Sequence, residues 1–236
     1  MASAPRHDQF FIASDLDTAM IMEDDVDWDV SIKEQMSLVS DAVRNFSQVD
    51  PNDPAPYGRS WDILWPGHCG ELTRDETVRL EFNDTTPGRP KPLDSYIGFS
   101  EFAINNAKGA NIKTGYRAVQ MGVFPVCSFA YALNRENAQK VLAWAGRGQD
   151  EAFDVVLNRG CGGGHLNCMT ISPEIMHHYQ PADAHGYVSP VQAGDGQGDE
   201  SKEADLESVK GHTANIIYSA RCKALFKETC LQPPWR

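Results

Sequence analysis

Residues 18–29 read Thr-Ala-Met-Ile-Met-Glu-Asp-Asp-Val-Asp-Trp-Asp, a short apolar run that ends abruptly in acidic residues. The apolar run predicts a buried strand. Carboxylates this close together repel one another unless a positive charge lies among them. Hard oxygen ligands at a strand end suit Mg²⁺ or Mn²⁺, which usually keep several waters and share their coordination with substrate phosphates. Five acidic side chains follow the strand within seven residues: Glu23, Asp24, Asp25, Asp27 and Asp29.

The first three of these acids are the candidate cofactor site. Side chains alternate along a strand, so we expect Glu23 and Asp25 to point one way, as metal ligands, and Asp24 the other. An acid-x-acid pair of this kind is typical of the metal–diphosphate site of nucleotide-sugar glycosyltransferases. A solvated acidic loop is the commoner explanation of an arbitrary acidic cluster. The apolar strand in front of it, together with motifs further along the chain, favours the metal site.

The composition limits the class of protein. A chain of 236 residues with 41% hydrophobic residues predicts one globular domain with at most a small appendage. The net charge of −12 argues against nucleic acid, whose phosphates require Lys and Arg clusters, and disfavours an anionic membrane surface. The chain has no run of about 18 apolar residues, as a membrane-spanning helix requires. Its first residues lack the apolar core of a signal peptide.

Helix and strand signals alternate along the chain. Ser31 and Glu34 have capping-box spacing, and apolar residues then recur at helical spacing, which predicts a helix over 31–47. We expect this helix to pack on a central sheet in which Met20–Met22 and Trp61–Trp65 are interior strands. The apolar stripe consists of Ile32, Met36, Val39, Val43 and Phe46.

The downstream half repeats the pattern. Residues 122–133 are strand-like around Pro125, and Asn134 can cap a helix that ends at Gly146. A short helix over about 151–159 and a strand over about 166–171 follow. Alternating strands and helices predict an α/β layered fold. The predicted organisation is an irregular N-terminal arm (1–17), one domain (18–193), an acidic flexible linker (194–208) and a C-terminal segment that docks on the domain, mostly as a helix (209–236).

The cysteines leave alternatives open. An even number of cysteines permits disulfides without requiring them. Two of them bracket a glycine-rich stretch, so a loop-closing disulfide between Cys161 and Cys168 competes with free buried thiols. A zinc site made from these two cysteines with His165 and the His177–His178 pair is disfavoured by the irregular spacing. The six cysteines are Cys69, Cys127, Cys161, Cys168, Cys222 and Cys230.

Other polar and aromatic residues near strand ends were weighed as site residues. His68 and Glu71 lie just past the strand that ends at Trp65 and are candidates for substrate contact, although a loop histidine is more often solvated. Trp61, Trp65 and Tyr131 lie in strand-like runs and are better explained as core than as platforms for sugar.

Four blocks of sequence, taken in order, resemble glycosyltransferase family 25. They are Ile21-Met-Glu-Asp-Asp-Val, Trp61-Asp-Ile-Leu-Trp-Pro-Gly-His, Phe129-Ala-Tyr-Ala-Leu-Asn-Arg-Glu-Asn-Ala-Gln-Lys-Val-Leu and Phe153-Asp-Val-Val-Leu. The stretches around Leu166, His177–His178 and Ala214 look like the fungal branch of that family. The family includes lipooligosaccharide and collagen galactosyltransferases. The resemblance covers roughly residues 18–225.

The resemblance implies a GT-A-like mixed sheet flanked by helices, with Mn²⁺ or Mg²⁺ at the acidic motif gripping a UDP-sugar. It implies inverting transfer of a hexose, such as galactose, to a hydroxyl of a glycan or protein. Glu23, Asp24 and Asp25 fall on the acidic motif, and Asp25 is the expected direct ligand. Asp154 falls where the family keeps an acidic residue near the acceptor, as a base that takes the hydroxyl proton requires. The alternative for Asp154 is a surface acid on a short helix.

One departure from the family pattern affects the expected activity. Folds of this type place their uridine-binding βα units before the acidic motif, and one such unit needs about 30 residues. The candidate strand begins at Thr18, so the fold is expected to be N-terminally truncated and the chain alone to show little or no sugar transfer. Two rival hypotheses follow: a non-catalytic glycan-binding or structural remnant, and another metal-dependent phosphotransfer or hydrolase site.

Overall fold

The computed structural model describes residues 4–73, 76–89, 112–147, 151–182 and 207–231. This part of the chain is an α/β protein with a nine-strand, mostly antiparallel open sheet and five helices. The strands are β1 (Thr18–Met22), β2 (Val26–Trp28), β3 (Ile63–Gly67), β4 (Arg79–Asn83), β5 (Tyr116–Met121), β6 (Ala130–Asn134), β7 (Cys168–Ser172), β8 (Met176–Pro181) and β9 (Gly211–Thr213). The helices are α1 (Ala4–Ala13), α2 (Ile32–Phe46), α3 (Arg135–Ala145), α4 (Phe153–Gly162) and α5 (Ala220–Phe226).

The main sheet has the strand order β1-β6-β3-β7-β5-β4. Its neighbours are antiparallel except β3 and β7, which run parallel. A smaller set of strands, β2-β8-β9, joins the main sheet where Gly67 of β3 pairs with Met176 of β8. A Cβ at Gly67 would lie 2.8 Å from the backbone nitrogen of Ala130, so glycine is required at this junction.

Helix α2 covers one face of the sheet as the apolar stripe predicts. Val39 and Val43 are fully buried against Leu64 and Val119 of the sheet, and the other stripe residues are half-buried in the same cluster. The predicted capping box does not form, because Ser31 makes no side-chain cap hydrogen bond. Asp29 Oδ1 instead accepts a hydrogen bond from the Ser31 backbone nitrogen at 2.9 Å.

The opposite face carries α1, α3 and α4. Side chains alternate along β3, so Ile63 and Trp65 point to this face while Leu64 points to α2. Trp65 and Tyr131 are buried here, as expected for core aromatics, and their ring centroids lie 6.3 Å apart. Asn134 caps α3 as predicted, because its side-chain oxygen accepts a hydrogen bond from the Asn137 backbone nitrogen at 2.9 Å.

The prediction of an irregular arm over residues 1–17 is wrong for its central part, which forms α1. Phe11 is buried in the apolar cluster that includes Trp65 and Tyr131. Asp8 is fully buried, and the Tyr131 hydroxyl donates a hydrogen bond to it at 3.1 Å. The end of α1 is held by Arg135, whose guanidinium donates to the carbonyls of Ile12, Ser14 and Leu16. The apolar run of α1, Phe10-Phe11-Ile12, is too short to predict a helix from periodicity.

The run Met20–Met22 is predicted to be interior, but among the described strands β1 lies at the edge of the main sheet and pairs with β6 alone. Its residues are accordingly half-buried or exposed. The prediction for Trp61–Trp65 holds better, because β3 pairs on both sides and is buried throughout.

The C-terminal segment docks on the domain as both strand and helix. β9 pairs with β8, and α5 follows after a short turn. A disulfide joins Cys222 of α5 to Cys230. Nearly all of the predicted acidic linker lies outside the described residues, which begin again at Glu207.

The remaining cysteines are also paired. Cys161 and Cys168 form the loop-closing disulfide, one of the two alternatives that the sequence left open, and this removes both from any zinc site. Cys69 pairs with Cys127 across 58 residues of sequence, a pairing that the spacing does not suggest.

Candidate functional site

The acidic motif lies on a turn between β1 and β2. β1 ends at Met22, and the Val26 backbone nitrogen donates to the Glu23 carbonyl at 3.3 Å, which closes a four-residue turn. The expected strand alternation of Glu23, Asp24 and Asp25 is therefore wrong, because Asp24 and Asp25 form a turn and do not continue the strand. Glu23 and Asp24 are exposed, and Asp25 is half-buried.

The last two acids of the run are structural. Asp27 is 1% exposed and accepts four hydrogen bonds, from the hydroxyls of Thr213 and Ser219 at 2.6 Å each and from the backbone nitrogens of Trp28 and Arg221. It therefore ties β2 to β9 and α5. Asp29, also buried, accepts hydrogen bonds from two backbone nitrogens and anchors the start of α2.

Glu23 and Asp154, which lie far apart in the sequence, are held by consecutive residues. The Ser128 hydroxyl donates to Glu23 Oε1 at 3.0 Å, and the Cys127 backbone nitrogen donates to Asp154 Oδ2 at 2.9 Å. The Glu23 nitrogen also donates to the Phe129 carbonyl at 3.0 Å. The segment just before β6 thus places the start of α4 beside the acidic turn, and the structure brings these two predicted site residues together.

This segment is fixed at Cys127. The residue has a φ of 64°, in the left-handed region that non-glycine residues rarely adopt, and its side chain is bonded to Cys69. The Cys69 backbone nitrogen donates to the Val126 carbonyl at 2.9 Å, so the two segments that the disulfide joins are also linked by a backbone hydrogen bond. The geometry between Glu23 and Asp154 therefore depends on a covalently closed loop.

The carboxylates of the turn share a strained electrostatic environment. Although the Glu23 residue is largely exposed, partial desolvation of its carboxylate raises its pKa, and the charges on Asp25, Asp154 and Asp24 raise it further, against a hydrogen bond from Ser128 that lowers it. Burial and the neighbouring Asp24 charge also raise the pKa of Asp25. The surrounding carboxylates thus make Glu23 and Asp25 harder to ionise, which is the situation that a bound cation relieves.

A cation from the C-terminal segment lies beside the turn. The Arg221 guanidinium donates to the Asp24 carbonyl at 2.6 Å and lies over the Tyr179 ring, and its charge offsets part of the rise that burial and Asp24 cause in the pKa of Asp25. The Tyr179 nitrogen in turn donates to the Asp25 carbonyl at 2.7 Å. The sequence offered no local signal for this contact, because Arg221 approaches through the pairing of β8 with β9.

The histidines form a buried group next to the same turn. His177 and His178 lie opposite Asp27 and Val26 in the pairing of β8 with β2, and the two rings stack at 4.7 Å. Burial, with the neighbouring histidines, lowers the pKa of His177 to about 3 and that of His178 to about 4. Both are therefore neutral at physiological pH and cannot supply a positive charge.

The sequence suggested that His68 and Glu71 are displayed just beyond β3. In the structure both are buried. His68 donates from Nε2 to the Ile171 carbonyl at 2.9 Å and accepts at Nδ1 from the Gly70 nitrogen, and burial lowers its pKa to about 4. Glu71 accepts from the nitrogens of Leu72 and Phe124, and burial raises its pKa to about 7. Their roles are to hold loops around the crosslink.

The metal that the resemblance implies can be tested against these side chains. In the described ranges, no three His, Cys, Asp or Glu side chains are grouped so as to hold a metal ion by themselves. Asp25 Oδ1 is buried without a hydrogen-bond partner, so one hard oxygen is available for a cation. Mg²⁺ and Mn²⁺ are often bound by one or two carboxylates plus substrate phosphates. The chemistry of Glu23 and Asp25 is compatible with a cation that a substrate phosphate helps to hold, and their role as its ligands stays a prediction.

Comparison with models of known protein families finds no match, and comparison with curated proteins finds none either. None of the five described helices is long and apolar enough to cross a membrane.

Proposed function

We propose that this protein is a metal-dependent glycosyltransferase of the family 25 type. It would transfer a hexose such as galactose from a UDP-sugar to a hydroxyl of a glycan or protein, with inversion at the anomeric carbon. The observation that carries the proposal is the placement of Glu23 and Asp154 by the consecutive residues Ser128 and Cys127. An acid of the donor motif and an acid of the acceptor block, separated by 130 residues of chain, meet at one site.

The GT-A-like assignment of the fold is part of the proposal. It is supported by a mixed sheet with helices on both faces and by an acidic turn directly after a strand of that sheet. The order of the four sequence blocks agrees with it.

The reaction assigns a separate task to each acid. The acceptor oxygen attacks the anomeric carbon while the bond to UDP breaks, and Asp154 takes the proton that the hydroxyl loses. Each Asp154 oxygen accepts one backbone hydrogen bond, from Cys127 or Val155, which fixes the carboxylate and leaves lone pairs for the acceptor. Glu23 and Asp25 would hold Mn²⁺ or Mg²⁺, which when bound offsets negative charge on the departing diphosphate.

Arg221 supports the donor side of the site. Its guanidinium is already oriented by the Asp24 carbonyl and the Tyr179 ring. A planar cation next to the carboxylates suits phosphate oxygens that the metal does not reach.

The test measures hexose transfer from UDP-galactose in the presence of Mn²⁺, together with calorimetric binding of UDP. Turnover is compared in this chain, from which the sequence predicts little or no transfer, and in a version extended upstream with uridine-binding βα units. Wherever transfer is measurable, we expect Asp154→Asn to lower turnover about 10²–10⁴-fold, the usual contribution of a general base, while UDP binding with Mn²⁺ stays unchanged. Glu151→Gln is the matched control, because Glu151 precedes the same helix and forms only a surface ion pair with Arg159 at 2.7 Å.

The outcomes separate the rival hypotheses. Binding of UDP and Mn²⁺ without transfer by either the parent chain or its extended version would support the non-catalytic glycan-binding remnant. Failure of UDP to bind with Mn²⁺ would contradict the donor site. Turnover by Asp154→Asn equal to that of the parent would remove Asp154 from the mechanism.

A further inference from the structure

A surface pocket of about 360 Å³ lies between α5 and the residues that follow β2. Its volume falls in the range of small-molecule sites, roughly 300–1,000 Å³. The residues that matter for its chemistry are Val30, Tyr218, Lys223, Lys227 and Glu228. None of them takes part in the proposed transfer.

The walls of the pocket are held firmly. On one side the Val30 nitrogen donates to the Tyr218 carbonyl at 2.9 Å, and the Tyr218 nitrogen donates to buried Asp29 at 3.1 Å. On the other side the disulfide between Cys222 and Cys230 closes the turn that follows α5. A pocket with such walls exists before any ligand arrives, so little ordering entropy opposes binding.

The floor of the pocket is apolar and open. Val30 is 42% exposed and Tyr218 is 45% exposed, although the backbone of both is tied down. The negative face of an aromatic ring attracts positively polarised C–H groups, such as those on one face of a sugar ring. This floor therefore suits a flat ligand with an apolar face.

The rim of the pocket is positively charged, in a chain whose net charge is −12. Lys223 belongs to α5 and Lys227 is the left-handed residue that follows its last turn, and both side chains line the pocket. Lys223 has no carboxylate partner in the described part of the chain, and Lys227 donates to the Ala224 carbonyl at 2.8 Å, which leaves two further N–H groups. The one acid in the lining, Glu228, is neutralised by Lys210 at 2.6 Å.

We propose that this pocket binds an anionic sugar residue, specifically a hexose that carries a carboxylate. The sugar ring would lie on Tyr218 and Val30, and its carboxylate would accept hydrogen bonds from Lys223 and Lys227. The inference goes beyond the proposed transferase function and stands without it, because it depends on residues on the far side of Asp29 from the acidic turn.

The test is a titration of the ¹⁵N-labelled protein, followed by NMR, with the methyl glycoside of glucuronic acid. We expect saturable shifts at the amides of Val30, Tyr218 and Lys223. The methyl glycoside of glucose, which lacks only the carboxylate, should bind at least about tenfold more weakly, the effect of losing one hydrogen bond to a charged group. Acetate, which has the charge without the ring, should also bind at least about tenfold more weakly.

Variants assign the contacts. The double variant K223Q/K227Q should lose the preference for the glucuronide, and Tyr218→Ala should weaken binding of both glycosides while Tyr218→Phe does not. Lys113→Gln removes the same charge from an exposed residue next to β5 and should change nothing. The altered side chains are exposed, so the fold should survive, which circular dichroism checks. Equal binding of the two glycosides, or of acetate and the glucuronide, or an unchanged preference in K223Q/K227Q would overturn the proposal.

Discussion

The acidic run after β1 contains two kinds of carboxylate, although all five lie within seven residues of sequence. Asp27 and Asp29 are buried, and donors from other elements surround each of them. Glu23, Asp24 and Asp25 lie on a turn, and desolvation, followed by the charges of neighbouring carboxylates, raises the pKa of Glu23 and of Asp25. The difference shows that one acidic run in a sequence can contain both structural carboxylates and a candidate site. The hydrogen-bond donors around each carboxylate distinguish the two kinds.

The largest effect is expected at the anchor. Asp27→Ala should lower the free energy of unfolding by on the order of 3 kcal/mol, because it leaves two buried hydroxyls and two backbone nitrogens without their acceptor. Urea denaturation followed by tryptophan fluorescence measures this change. Asp24→Ala, on the exposed turn, is the control and should stay within about 0.5 kcal/mol of the parent. Similar losses in the two variants would erase the distinction between anchor and turn.

The second prediction concerns cation binding by the turn. Asp25→Asn should weaken Mn²⁺ binding at least about tenfold, since it neutralises the oxygen that has no hydrogen-bond partner. Its stability should not fall, because the substitution also removes a repulsive charge. Calorimetric titration with Mn²⁺, with and without UDP, measures the affinity. Asp24→Asn, at a residue not assigned as a ligand, provides the comparison, and an undiminished affinity in Asp25→Asn would show that this turn is not the cation site.

Asp8 extends the comparison to a buried carboxylate that has few hydrogen-bond donors. Asp8 is buried with one hydroxyl donor, Tyr131, and an oxygen that has no partner, and burial raises its pKa from 3.8 to about 6. The folded protein therefore holds this proton more tightly than the unfolded chain. As the pH rises through the window from 3.8 to about 6, ionisation of Asp8 destabilises the fold.

Replacing this acid removes that pH dependence. Asp8→Asn keeps an acceptor for Tyr131, so we expect it to raise the urea midpoint at pH 8 and to leave it unchanged below pH 3.8. The difference in midpoint between parent and variant, followed from pH 3 to pH 8, measures the effect. A difference that grows as the pH falls would show that Asp8 is stabilised in its charged form.

The smallest effect is expected at the start of α2. Ser31→Ala should change the free energy of unfolding by less than about 0.5 kcal/mol, because the Ser31 hydroxyl makes no cap hydrogen bond. Asp29→Ala should cost several times more, since the carboxylate accepts from Ser31 and Tyr218. Urea midpoints of the two variants give the ratio. A larger loss of unfolding free energy in Ser31→Ala would show that the capping box suggested by the spacing does form.

Features that depend on neighbouring residues were predictable from the sequence. The stripe of α2 and the cap at Asn134 follow from spacings of a few residues, and the spacing of Cys161 and Cys168 permitted their disulfide without deciding it against free thiols. The burial of Trp65 follows from its apolar strand. In each case the interaction that produces the feature involves residues that are close together in the sequence.

Features that depend on strand pairing were not predictable. Nothing near His68 or Glu71 in the sequence indicates that both are buried, because the loops that cover them come from residues 122–127 and from β7. The link between Cys69 and Cys127 and the approach of Arg221 to Asp24 likewise depend on long-range pairing. The meeting of Glu23 and Asp154 was expected only through a family resemblance, and their joint role in transfer stays a prediction.

The crosslink at Cys127 makes the candidate site depend on where the protein matures. All six cysteines are paired, so the chain reaches this structure only where thiols can be oxidised, as in a secretory compartment or outside the cell. In a reducing compartment the segment that orients Glu23 and Asp154 would lose its covalent tether. Oxidation of Cys69 and Cys127 would then act as the maturation step that completes the site.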